Sequence, residues 1–160
     1  MRPGKCAVRR GCTLKIVFAF SPKGYWFEPL RYPVGTKLRV LGPPIHHEGT
    51  YVGPVGANGE DVIHCDKLEG MILSHFDEFA DGGFRVETPY TPRSPDEGRQ
   101  IVQRALDTLA RRIPYNVVGI NGWNCEQAAN YHQRGQAVSP SVWLLVGLGV
   151  IVALASARNN

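Results

Sequence analysis

Apolar positions along this chain change period several times, and each change marks an element. Residues 37–40 alternate as a short strand, which Gly42-Pro43-Pro44 ends. Two β-rich runs follow at residues 49–52 and 61–64, joined by residues 53–60. Asn58-Gly59 in that connection suits positive φ, so the pair reads as a hairpin. His47 then stands just before the first strand and His64 at the end of the second, both near the hairpin's open end. Residues 72–79 are loosely amphipathic, Gly82-Gly83 closes them, and residues 84–88 form a further strand. Near the start, residues 13–20 are another β-type run, closed by Ser21-Pro22-Lys23-Gly24.

The period then lengthens. Ile101, Ala105 and Leu109 recur every four residues with Val102 and Leu106 beside them, which makes one apolar helical face. Ser94-Pro95-Asp96-Glu97 opens that helix as a capping box with proline at the first helical position. Arg111 and Arg112 suit its C-terminal dipole, and Pro114 stops it. A second helix is predicted over about residues 124–134, with Gly135 as its C-terminal punctuation.

Residues 142–157 carry no charge and no polar face. The run is slightly short of the roughly 20 residues that span a bilayer, but Ser139 and Ser141 extend it on one side and Arg158 can snorkel on the other. Trp143 suits an interface. A buried core helix is the alternative; a single-pass C-terminal membrane anchor is the expectation.

Composition adds limits. At 160 residues, 43% hydrophobic and 20% charged, the chain has room for one globular domain with appendages. Charge is lopsided: nine basic residues up to Arg39 face one acid, Glu28, while the whole chain carries +4, so the remainder is net acidic. A basic leading segment suits contact with phosphates, or is a solvated arm. The four cysteines, Cys6, Cys12, Cys65 and Cys125, are too few and scattered for a disulfide framework and read as thiols. No cleaved signal peptide is expected, because Lys15 interrupts the only apolar stretch near the N-terminus.

The chemistry centres on Asn124-Cys125-Glu126. With Asn124 as N-cap, Cys125 falls in the first helical turn, where positive potential and free amides favour a thiolate and an oxyanion. A packing cysteine beside Ala128 and Ala129 is the competing reading. A nucleophile needs a base at roughly 3 Å. His132 is two helical turns away, about 10 Å, and cannot serve; His75 reads as an ordinary histidine. His46, His47 and His64 remain, at the hairpin. With Cys65 and Asp66 they could instead hold zinc, but no tight ligand pair completes the set, so neither metal nor cofactor is expected.

His47-Glu48-Gly49-Thr50-Tyr51-Val52-Gly53, Val62-Ile63-His64, Tyr115-Asn116 and Asn124-Cys125-Glu126 together resemble the lecithin retinol acyltransferase family, over about residues 33–138. The resemblance implies an α+β fold of circularly permuted papain-like type: a small antiparallel sheet packed on helices, with a C-terminal apolar helix. It implies Cys125 as nucleophile, His47 as base and His64 as the partner that orients His47. It implies attack on a phospholipid acyl ester, a thioester on Cys125, and transfer to water, an amine or an alcohol, with no nucleic-acid partner. Gln127 stands where that family usually has histidine, and residues 53–60 make a longer loop. Residues 1–32 are then a basic extension, 33–138 the catalytic domain and 139–160 the anchor segment. Two other readings stay open: a papain-like cysteine peptidase or amidase, and a non-catalytic membrane-associated interaction protein.

Overall fold

The structure is a computed structural model and describes residues 30–42, 46–80, 85–118 and 121–158. The expected strand at residues 13–20, Cys6, Cys12, the glycine pair at 82–83 and nearly all of the basic extension lie outside these residues. The described chain is α+β. Five strands form one antiparallel sheet in the order β4-β3-β2-β1-β5: β1 (Lys37–Val40), β2 (His47–Tyr51), β3 (Val62–Asp66), β4 (Gly70–Ser74) and β5 (Val86–Tyr90). The helices are α1 (Phe76–Phe79), α2 (Pro95–Arg111), α3 (Cys125–Arg134) and α4 (Pro140–Arg158).

Three strand expectations need correction. β2 starts earlier than residue 49, so His47 is in the strand rather than ahead of it. Residues 72–79 are not one amphipathic element: they divide between β4 and the single-turn α1. The strand expected at 84–88 lies two residues further on, as β5. The turn that creates β4 is built by Asp66, whose carboxylate accepts the amides of Leu68 (2.7 Å) and Glu69 (3.1 Å), and by Gly70 at φ 75°.

Period-2 alternation gives the sheet two dressed faces. On one, Ile63, Cys65, Val52 and Met71 bury against Ala105 of α2 and Ala128 of α3. On the other, Leu38, Val40, Tyr51 and Val62 bury against Phe79 of α1, with Tyr32 and Phe76 beside them. Fully burying a side chain such as Leu38 or Ile63 stabilises by about 1.5–3 kcal/mol. Helix α2 approaches the turn before β1 so closely that a Cβ on Gly98 would lie 2.4 Å from the Val34 carbonyl oxygen, which explains a glycine inside that helix.

Both helix starts expected from sequence are capped, but the reciprocal half of the Ser94 box does not form: the Glu97 carboxylate accepts from the Tyr90 hydroxyl and the Arg93 amide instead. Ser94 Oγ accepts the Glu97 amide with Pro95 at the helix start. Asn124 and Gln127 exchange side-chain and backbone bonds in a reciprocal capping box, and Gly135 closes α3 in the left-handed region at φ 72°. Buried polar bonds join helices to sheet. His132, with no exposed surface, bridges Thr50 of β2 (2.9 Å) and Thr108 of α2 (2.8 Å). Glu48 is nearly buried, with its carboxylate 2.6 Å from Lys37 Nζ and 2.8 Å from Arg39, across the β1–β2 pair. Lys37 in turn donates to Asn130 of α3 at 2.8 Å.

After Gly135 the chain doubles back along α3: Asn130 Nδ2 donates to the Val138 carbonyl at 2.9 Å. It reaches Glu126, and there α4 begins, with Ser139 accepting the Val142 amide. Ser139 and Pro140 therefore start this helix as cap and first residue, ahead of the uncharged run that begins at residue 142. Among the described residues no helix is long and apolar enough to cross a membrane. The side chains of Trp143, Leu144, Leu145 and Ile151 stand at least 63% exposed, so the core of the domain does not cover them.

Candidate active site

β2 and β3 carry the two histidines to one place. Gly49 pairs with His64, so His47, two residues earlier on β2, shares the His64 face where the two strands have begun to part. His47 Nε2 lies 2.8 Å from His64 Nδ1, with the rings edge to face at 4.8 Å. His64 Nε2 meets Ser74 Oγ of β4 at 3.0 Å. Phe79 lies 5.2 Å from each imidazole, centroid to centroid. That lid needs Gly49: a Cβ there would come within 2.7 Å of the Phe79 ring. Neither Ser74 nor Phe79 was identified from sequence. The signal was present in Ser74, a polar residue on the same strand face as Ile72, but only recognition of β4 would have revealed it.

Cys125 opens α3. Of the first-turn amides, Asn124 and Gln127 are consumed by the capping box and Ala128 donates to the Asn124 carbonyl. The Cys125 and Glu126 amides remain, and both favour the ionised form of the thiol. Its Sγ is 3.8 Å from the His46 carbonyl, so it reaches the edge of β2 next to His47. No hydrogen bond joins Cys125 to His47. His46 contributes that carbonyl while its side chain points outward, so His47 and His64, and not His46, form the histidine pair.

Electrostatics alter one expectation. Burial pushes the Cys125 thiol up, and the Glu48 carboxylate adds to this; the amides of Glu48, Glu126 and Cys125 offset only part. The helix terminus therefore does not yield a resting thiolate, because the thiol is also nearly buried, at 7% exposure. Burial also holds His47 below its usual range, against the Asp66 carboxylate, and pushes His64 down to about 3. Both rings are neutral near pH 7. Cys65, bonded to the Trp123 carbonyl at 3.2 Å, is pushed up to about 12, chiefly by burial, and is an inert packing thiol.

The bonds leave one coherent tautomer set for base chemistry. If His64 Nε2–H donates to Ser74 Oγ, His64 Nδ1 accepts from His47 Nε2–H, and His47 Nδ1 keeps a lone pair. The two histidines share the Phe79 face of the sheet, whereas Cys125 opens the helix packed on the other face, so the structure brings thiol and histidines to the same end of β2 but not to a hydrogen bond. Among the described residues no group of three or more His, Cys, Asp or Glu side chains could hold a metal ion. His75, exposed at the start of α1, stands apart from the site, and His132 is held in the core. No family model and no curated protein matches the chain.

Proposed function

We propose that this protein is a membrane-associated thiol acyltransferase or phospholipase A of the lecithin retinol acyltransferase type, with the permuted papain-like arrangement that type implies. The observation that carries the reading is the relay Ser74–His64–His47, together with a cysteine on a capped helix start whose Sγ meets the His46 carbonyl of the same strand. The donor in this reading is a phospholipid acyl ester, and the C-terminal segment associates the domain with the membrane through α4.

The first step is general-base assisted attack. In this reading the start of β2 shifts to bring His47 Nδ1 within reach of Cys125, and the Sγ–H proton passes to it as sulfur bonds the ester carbonyl carbon. The oxyanion takes the free amides of Cys125 and Glu126. Its collapse breaks the carbonyl carbon–oxygen bond, and the leaving alcohol takes the proton from His47. An acceptor then gives its proton to His47 and attacks the thioester; Cys125 leaves and is reprotonated. His64 stays neutral throughout and orients His47, as Ser74 orients His64. Because thiol and imidazole are both neutral at rest, proton transfer belongs to the transition state rather than to a preformed ion pair.

The test is acyl release from phosphatidylcholine vesicles. Cys125→Ser should abolish it, and retained turnover in that variant would sink the proposal. Turnover of peptide amides in place of lipid esters would favour the peptidase reading. A catalytically silent binding protein is the second reading, favoured by the lack of a Cys125–His47 hydrogen bond and by a thiol held protonated by burial; it expects no turnover of either substrate class.

A further inference from the structure

We infer that the end of the domain bearing Cys125 is a docking face for a lipid bilayer, held in register with α4 by a clamp between Glu126 and Ser139. The inference deepens the phospholipid reading and rests on it for its substrate, though not for its geometry.

Three placements converge on this end. First, the root of α4 is fixed there. Glu126, the residue after the nucleophile, accepts from Ser139 Oγ and, at 3.3 Å, from the Ser141 amide. Ser139 is almost fully buried and also caps α4 through the Val142 amide. One carboxylate thus joins the first turn of α3 to the first turn of α4, and the apolar helix leaves the domain beside the thiol. Second, Leu68 at the tip of the β3–β4 turn is 94% exposed. The tip lies at the histidine end of the sheet, since the turn follows Asp66, two residues after His64 on β3. Third, Val117 and Val118 are more than half exposed, and the Val117 carbonyl accepts from Asn124, the cap of the nucleophile helix.

An apolar tip of this kind has one occupant that agrees with its surroundings. The apolar helix rooted on the same end sends Trp143, Leu144 and Leu145 outward, so a medium that accepts them meets Leu68, Val117 and Val118 as well. Lys67 is exposed beside Leu68 and suits the phosphate of a headgroup. The opposite end, the β2–β3 loop around Ala57, carries neither an apolar helix nor the site. Docking through the Cys125 end would set the thiol's end of the domain against the acyl esters.

The test uses the full chain in phosphatidylcholine vesicles, with a fluorescent amino acid placed in turn at Leu68, Val118 and Ala57. Spin-labelled phosphatidylcholine should quench the probes at Leu68 and Val118 strongly and leave the one at Ala57 unquenched. Quenching at Leu68 and Val118 no greater than at Ala57 overturns the docking face, whatever the protein's activity. In Ser139→Ala, quenching at Leu68 should fall toward the Ala57 level; an unchanged pattern overturns the clamp. Leu68→Glu changes an exposed side chain and leaves the core intact. It should lower turnover of vesicle lipid about tenfold while turnover of a water-soluble short-chain ester stays constant. Equal loss on both substrates overturns the docking role. No turnover of either by the wild type is instead a failure of the phospholipid reading, and the quenching still decides the geometry.

Discussion

His132→Gln should make the protein less stable at neutral pH and less sensitive to acid. His132 is completely buried between two threonines. Thr108 Oγ1 already donates to the Ala105 carbonyl, so it accepts from His132 Nε2–H, and His132 Nδ1 accepts from Thr50. That fixes a neutral ring, and burial, with the Arg104 charge, pushes its pKa down to about 3. The unfolded chain takes up a proton near pH 6.5 and the folded chain does not. The unfolded state thus binds more protons through this window, so stability rises with pH there. The contribution of the neutral ring is complete above the unfolded pKa and is lost as pH falls toward the folded one. Between pH 7 and pH 5 the loss is about 2 kcal/mol for one such histidine. His64, also pushed down to about 3, adds a similar amount. Against a total of roughly 5–15 kcal/mol, the pair makes the domain acid-labile. The substituted glutamine can keep one threonine bond and leaves a smaller void, a cost of about 2–3 kcal/mol at pH 7. It cannot titrate, so the gap to wild type should close by about 2 kcal/mol at pH 5. Urea unfolding followed by tryptophan fluorescence at the two pH values measures this. A gap that stays constant, or an NMR titration of His132 near pH 6.5, would refute the reasoning.

Two further outcomes test the site. Gly49→Ala should displace Phe79 from the histidine pair, since the added Cβ would lie 2.7 Å from its ring; a loss of about 1–3 kcal/mol in unfolding free energy is expected, and an unchanged value would show that the ring gives way freely. Alkylation of Cys125 by iodoacetamide, mapped by peptide mass, should be slow at pH 7 and still accelerating above pH 9, because burial raises the thiol pKa. A plateau below pH 7 would mean a preformed thiolate.

Much of the frame was legible because it is local. The capping serine at 94 and the asparagine at 124 announce α2 and α3, and glycine at 135 ends the second in the left-handed region. Gln127, noted from sequence only as standing where a histidine is usual, turns out to hold the Asn124 amide and complete the cap. β4 was missed because the residues that create it, Asp66 and Gly70, act through a side-chain bond and a positive φ rather than through alternation. The site was legible as a set of residues but not as a circuit. His47 and His64 were marked by their places in the hairpin, whereas Ser74 and Phe79 reach them only through β4 and α1. The thiol's protonation could not be read at all: the helix start is visible in the sequence, and the burial that overrides it is made by β2. The tie between Glu126 and Ser139 depends on the chain doubling back along α3, which no periodicity records.

The most direct measurement of the central claim is the intact mass of the protein after brief mixing with phosphatidylcholine of one chain length. The expected result is a mass increase of one acyl group, removed by neutral hydroxylamine, mapped to Cys125 and missing in Cys125→Ala. An unmodified wild-type protein, or an acyl adduct that persists in Cys125→Ala, would contradict it.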